Sequence, residues 1–326
     1  MLGTRFTEMF GLEHPVMSAP MAGHSGADLA AAVATAGGLG SFGGMGPGRA
    51  PGWITEQVAA IRAVTDRPFA IGFITPFLPM AAPLLDEALA QRPDAICLSF
   101  SDPGPWADKI HDAGARLICQ VQDLDGADLA AAAGADVLIA QGTEAGGHTG
   151  TMSTLPLLSS VIARHPDTPV LAAGGIGDGS TMAAAMVAGA EGVVMGTALL
   201  ATPEATDVPD RFKELVVASD GTDTVLTHAY DVVGGYPFPA PISDRMRANR
   251  FTAEWAGREE ELRSRKDEFQ AHVSLGEEFD PDVHAARYGQ AAAFVVQIQP
   301  AAAVIRSVVE QAETILHSRP HSLRAT

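Results

Sequence analysis

A closed (β/α)8 barrel of the TIM type, carrying an inserted and mostly helical subdomain, is the architecture that three observations on this 326-residue sequence predict. Short apolar runs recur roughly every 20 to 30 residues, each followed by a helical pattern, as expected of successive β-α units with parallel strands. Eight such units follow one another without a long gap, which favours closure over an open doubly wound sheet. The last strands empty into glycine-rich loops, where a barrel places a phosphate.

In chain order, strands are expected near Val16, Gly40–Phe42, Phe69–Ile71, Ala95–Leu98, Leu117–Cys119, Val137–Ile139, Val170–Ala172 and Val193–Met195. Alanine-rich amphipathic helices separate them, for example Asp28 to Thr35, Ile54 to Thr65, Leu84 to Gln91 and Thr181 to Ala188. Ser25 with Asp28 three residues on reads as a capping arrangement, and Gly37-Gly38 supplies the left-handed residue that stops that helix. Residues 1–201 therefore read as the barrel strands and helices with the ligand site. Residues 202–284 turn charged and irregular, with Tyr236-Pro-Phe-Pro-Ala-Pro241 and the Arg/Glu-rich Arg258 to Glu268, and read as a helical insertion covering that site. Residues 285–326 return to apolar helical spacing and read as the barrel's last helix, with Pro300 near its start. The tail after Arg319 is expected to be mobile.

Composition narrows the function. A formal charge of -18 argues against nucleic acid and anionic membranes as partners, since both want clustered Lys and Arg. Cys97 and Cys119 fall inside apolar strand-like runs and read as reduced, buried thiols of a cytoplasmic protein. No signal-like apolar core opens the chain, and the longest uncharged stretch, Leu29 to Gly48, is broken by glycines and Pro47. A homodimer contact through Tyr236 to Pro241 suits the alanine-rich exterior.

The chemistry-bearing residues sit at strand ends. Gln141 to Gly150, QGTEAGGHTG, carries Glu144 and His148 on a loop of small residues; Ala172 to Gly179, AAGGIGDG, carries no Lys or Arg. Amides of Gly174, Gly175, Gly196 and Thr197, with one hydroxyl, suit a terminal monophosphate and not a triphosphate with magnesium. Glycines at strand ends also serve as plain turns, but two such ends on adjacent strands favour the anion. No GxGxxG opens a first βαβ unit, so a Rossmann-type dinucleotide is disfavoured and FMN is the natural phosphate-bearing ligand, its ring against Ala19-Pro20-Met21. Met and Ala there equally suit ordinary packing. An imidazole with an ordinary pKa of about 6.5 suits proton transfer, which makes His148 the candidate base; the bland alternative is a histidine that only bonds backbone. Glu144 reads as orienting the loop in preference to the alternative, that it is the base itself. His24, His228, Tyr230, Tyr236 and Tyr288 are candidates that spacing does not place. Neither HExxH nor a clustered Cys/His pattern occurs, so no metal is expected, and no GxSxG occurs for a serine hydrolase.

These motifs, with RFTEMFGLEHPVMSAPMAG, AAAVATAGGLGSFGG, TDRPFAIGF, VVMGT, RANRFTAEW and YGQAAAFV, resemble the nitronate monooxygenase (2-nitropropane dioxygenase) family and the related flavin-dependent enoyl-acyl-carrier-protein reductases. The resemblance implies a barrel holding FMN non-covalently, with Ala19, Pro20 and Met21 on the flavin ring and Gln120 near its pyrimidine side. It further implies Gln141, Gly146 and Met195 as cofactor-binding residues, Gly174, Gly175, Gly196 and Thr197 around the phosphate, and His148 as catalytic base. The implied reaction oxidises an alkyl nitronate with O2 to a carbonyl compound and nitrite. An NAD(P)H-dependent reductase of quinones or enoyl thioesters is the rival on the same scaffold. Ile71-Gly72 stands where the family usually has an Asn, which leaves a flavin-binding protein without turnover as a third reading.

Overall fold

The structure is a computed structural model that describes residues 2–46, 49–273 and 279–322. Its strands are β1 (Val16–Ser18), β2 (Gly40–Gly43), β3 (Phe69–Ile74), β4 (Ala95–Ser99), β5 (Arg116–Val121), β6 (Val137–Gln141), β7 (Gly147–Thr149), β8 (Val170–Ala173), β9 (Gly192–Met195), β10 (Thr224–Thr227) and β11 (Ser243–Arg247). Eight of them, at the eight expected places, pair in parallel in the order β1-β9-β8-β6-β5-β4-β3-β2. The first and last of that order meet at a seam that closes the barrel. Among the described residues the ladder there is one bridge, between Met17 of β1 and Leu39 just before β2, with Ser18 N donating to Leu39 O at 3.1 Å. Side chains complete the seam: Ser41 N donates to Ser18 Oγ at 2.7 Å, and Ser41 Oγ donates to Ser18 O.

Both faces of the strands are apolar because both are covered, as a parallel sheet requires. Met17, Leu39, Ala70, Cys97, Ile118, Ile139, Leu171 and Val194 fill the barrel interior. Their neighbours in sequence, such as Ile71, Leu98, Leu117, Leu138 and Val193, pack outward against the helices. Each such aliphatic side chain contributes about 1.5–3 kcal/mol by leaving water.

The helix Ala301–Ser322 follows Pro300 and lies between the helices Gly179–Val187 and Ala27–Thr35, the place of the eighth barrel helix. Gln311 Oε1 accepts from Gly179 N at 2.7 Å and fixes that packing. This last helix runs past Arg319, and the end of the expected mobile tail, residues 323–326, lies outside the described residues. The capping expectation at Ser25 is corrected. Gly26 is the N-cap of Ala27–Thr35 and makes no side-chain cap bond, because Ser25 Oγ bonds Met21 N at 2.9 Å and Met21 O at 3.0 Å instead. Gly37, at φ 89°, follows the end of that helix as expected.

The insertion contributes the helices Asp210–Ala218, Ala229–Gly234, Arg250–Trp255 and Glu259–Arg265, with a small core of Tyr230, Met246, Phe251, Trp255 and Leu262. It also contains something the sequence pattern does not suggest. β10, β11 and β7 form an antiparallel sheet, so the loop expected around His148 is a strand of the roof. Ser243–Arg247 reads SDRMR, in which Asp244 and Arg245, on opposite faces of the strand, are both buried although neither is apolar. Among the described residues, no helix is long and apolar enough to cross a membrane.

Candidate active site

Strand parity decides which expected residues face the barrel mouth. Ala19, Gly72, Gln120 and Gln141 continue the inward rows begun by Met17, Ala70, Ile118 and Ile139. Met195 lies on the opposite face, fully buried in the layer between strands and helices, so only its backbone borders the mouth. Gly72 is a matter of space. A Cβ there would lie 2.3 Å from Pro20 Cβ and 2.5 Å from Pro20 Cγ, so the proline ring fills the volume any side chain at position 72 would need. Met21 Sδ lies 3.5 Å from where a Cβ on Gly196 would stand, placing the Ala19–Met21 turn beside the end of β9.

The loop after β8 holds Gly174 at φ 97° and Gly175 at φ 72°, a backbone that side chains resist. Among the described residues, the amides of Gly175 and Gly196 find no acceptor. Those two donors at adjacent strand ends are what a phosphate needs, and they fit the FMN expected from the motifs. The start of the following helix offers less, since Gly179 N is bonded to Gln311 and Thr181 N to Asp178 Oδ1 at 2.8 Å. Burial would raise the Asp178 carboxyl, but hydrogen bonds from Ser180 and Thr181 hold it below its usual value. Thr197 Oγ1 accepts from Gly289 N at 2.9 Å, and Gly146 lies against the Tyr288-Gly289 backbone. Glu144 orients its loop: Thr154 N donates to Glu144 Oε2 at 2.9 Å, as does Thr154 Oγ1, which also reaches Gly174 O at 2.9 Å.

His148 is held from two sides. Gln141 Nε2 donates to His148 O at 3.1 Å, and Gln122 Nε2 donates to Gln141 Oε1 at 2.9 Å, so Gln141 braces β7 as well as bordering the mouth. His148 Nε2 lies 2.8 Å from Asp231 Oδ1, with side-chain exposures of 12% and 5%. Asp244 pairs with His148 in the sheet register, and Arg287 Nε donates to Asp244 Oδ2 at 2.7 Å. Burial would lower the Arg287 guanidinium, but Asp244 and Asp231 hold it above its ordinary value. Phe238 stacks on the His148 ring with centroids 3.4 Å apart, and is itself flanked edge-on by Phe77 at 5.2 Å and Phe100 at 5.6 Å. Of the segment expected to serve a dimer contact, Phe238 turns inward onto the imidazole, while Tyr236, Pro237, Pro239, Ala240 and Pro241 are exposed.

The unplaced candidates now have positions. Tyr230 OH donates to Val283 O at 2.6 Å in the insertion core, where burial pushes its pKa up to about 12. Tyr288 OH donates to Asp223 Oδ2 at 2.6 Å, with burial likewise raising it. Both phenols are committed away from the mouth. His24 packs edge-on against Phe212, and burial together with Arg287 holds its imidazole below the ordinary value. His228 Nδ1 lies 3.6 Å from Asp231 Oδ2, and Tyr236 borders a surface cavity beside it. Burial pushes the Cys97 thiol up to about 12 and the Cys119 thiol higher, so neither serves as a nucleophile. Asp231, Phe77, Phe100, Phe238 and Arg287 escape sequence reasoning. The proline-flanked aromatic in YPFPAP was the one available signal, because a phenylalanine fixed between prolines is pre-ordered for a contact.

The family model described as nitronate monooxygenase matches residues 3–83 and 81–311. A curated (3aS,4S,5R,7aS)-5-hydroxy-7a-methyl-1-oxo-octahydro-1H-indene-4-carboxyl-CoA dehydrogenase of Mycobacterium tuberculosis is 37% identical over 71% of this chain. The chain spans 64% of that relative's length. Among solved structures, FabK from Thermotoga maritima superposes with a TM-score of 0.87 at 29% identity, covering 99% of this chain and 100% of that one. Nitroalkane oxidase from Streptomyces ansochromogenes gives a TM-score of 0.77 at 25% identity, covering 97% and 100%.

Proposed function

The chain belongs to the nitronate monooxygenase family, and from that premise we propose that it is an FMN-dependent oxidoreductase that oxidises alkyl nitronates with O2 to carbonyl compounds and nitrite. The observation that carries this reading is a braced, largely buried imidazole, His148, beside a mouth of small inward residues and two unpaired amides. The amides of Gly175 and Gly196, with Gly174 and Thr197, would hold the FMN phosphate, and Ala19, Pro20, Met21, Gln120 and Gly146 would border its ring. Bound there, FMN would supply electron acceptance from the substrate and electron transfer to O2. His148 takes the acidic proton beside the nitro group, or steadies the anion when the nitronate arrives already ionised. Phe77, Phe100 and Phe238 exclude water from the reacting carbon and set an apolar limit on the substrate's chain.

A second reading, a reductase or dehydrogenase acting on acyl thioesters with or without NAD(P)H, is favoured by one feature. A cavity of about 430 Å3 bordered by Phe238, Tyr236, His228, Arg263 and Lys266 joins cationic side chains to the cover of His148, as an anionic thioester would need. Anaerobic bleaching of the flavin separates the two. We expect alkyl nitronates to bleach it and NAD(P)H or acyl-CoA thioesters to leave it oxidised, and the reverse result overturns the proposal. His148→Asn should lower the rate of bleaching by about 100-fold or more when the neutral nitroalkane is the donor, with less effect on the preformed nitronate.

A further inference from the structure

We propose that Asp231 is the positioning residue of the base: it receives the Nε2 proton of His148, fixes the tautomer, and leaves Nδ1 as the atom that exchanges a proton with substrate. This rests on the proposed role of His148. The two side chains arrive from unrelated elements, His148 on β7 and Asp231 in the first turn of the helix Ala229–Gly234, and meet at 2.8 Å with little exposure. His148 Nδ1 makes no hydrogen bond among the described residues, so it is the free nitrogen. A neutral imidazole bonded to a carboxylate through one nitrogen carries its proton there, and the other nitrogen is then the basic one.

Stability does not explain Asp231. Its Oδ2 is buried without a hydrogen-bond partner, and so is Asp244 Oδ1, an arrangement that costs the fold free energy. Charge explains it better. Two carboxylates, Asp231 and Asp244, face one fixed cation, Arg287, which is bonded to Asp244. With His148 neutral the cluster carries one excess negative charge, and with His148 protonated it is balanced. Both carboxylates therefore stand beside the ring on which the substrate proton would arrive, in a site whose dipoles need no rearrangement. The other polar neighbours are His228, at 3.6 Å from Asp231 Oδ2 and bonded through Nε2 to Ser243 Oγ, Tyr236, close enough to act on Arg287, and Arg263 and Lys266, which border one cavity with Asp231. Phe238 covers the remaining face of the ring.

The test compares the flavin-loaded parent with Asp231→Asn, which keeps the shape and removes the charge, and with Asp231→Glu as rescue. We expect Asp231→Asn to lower kcat for nitroalkane by about 10- to 100-fold with KM unchanged, and to move the acid limb of kcat/KM to lower pH. Asp231→Glu should recover part of kcat, while flavin content and melting temperature stay at parent values in both. Independently of any substrate, the His148 ring signal in proton NMR, assigned by its loss in His148→Asn, should titrate at lower pH in Asp231→Asn than in the parent. A kcat and acid limb identical to the parent, or an unmoved ring titration, overturns the proposal. If no nitronate reduces the parent flavin, the functional reading fails and the ring titration alone decides the role of Asp231.

Discussion

At the scale of single residues, the site is governed as much by what is missing as by what is present. Gly72 stands where the motif resemblance leads one to expect Asn, and Pro20 occupies the space that side chain would take. Restoring the family residue is therefore not a repair. Gly72→Asn should displace the Ala19–Met21 turn and lower flavin content at purification, read from the ratio of visible to ultraviolet absorbance; an unchanged or higher content would show that the proline yields freely. His148, Glu144 and the glycine turns were legible in the sequence because each lies in one short motif directly after a strand. Asp231 was not, because it lies 83 residues from His148 and nothing local marks it as the partner. Phe100, at φ 76°, is held in a backbone region that resists a large side chain, and no sequence pattern announces such a position.

At the scale of elements, apolar runs were sufficient to place all eight barrel strands, since strands covered on both faces need only be apolar throughout. The roof sheet was hidden for the converse reason: the buried positions of β7 and β11 include Thr149, Asp244 and Arg245. Closure of the barrel depends on something equally local. Ser18 and Ser41, both fully buried, replace ladder bonds that β1 and β2 do not make. Ser18→Ala would leave Ser41 N without its acceptor in a dry interior, which costs about 1–3 kcal/mol. Chemical denaturation should show that loss as a lower midpoint with an unchanged slope; a midpoint equal to the parent's would mean that the seam is held by packing alone.

At the scale of the whole molecule, acidity acts through buried imidazoles. Burial, with Arg287, holds His24 below its ordinary value, and burial with His284 does the same for His272. Below about pH 6.5 the unfolded chain binds protons that the folded chain refuses, so stability is fully present above that value and declines as pH falls through it. The melting temperature should drop between about pH 7 and pH 5, and His24→Gln should flatten that slope; an equally steep slope would remove His24 from the account. The barrel-plus-insertion plan was legible from composition and rhythm, whereas the way the two parts join was not. They join through β7, which leaves the barrel wall and becomes the third strand of the roof. On the proposed function, anchorage of the nucleotide and delivery of the proton would belong to different structural compartments: the turns after β8 and β9 sit on the wall, while the imidazole sits on a strand of the canopy. Loosening the canopy would yield a pigmented but silent protein, and retightening it would restore turnover without any exchange of the coloured group.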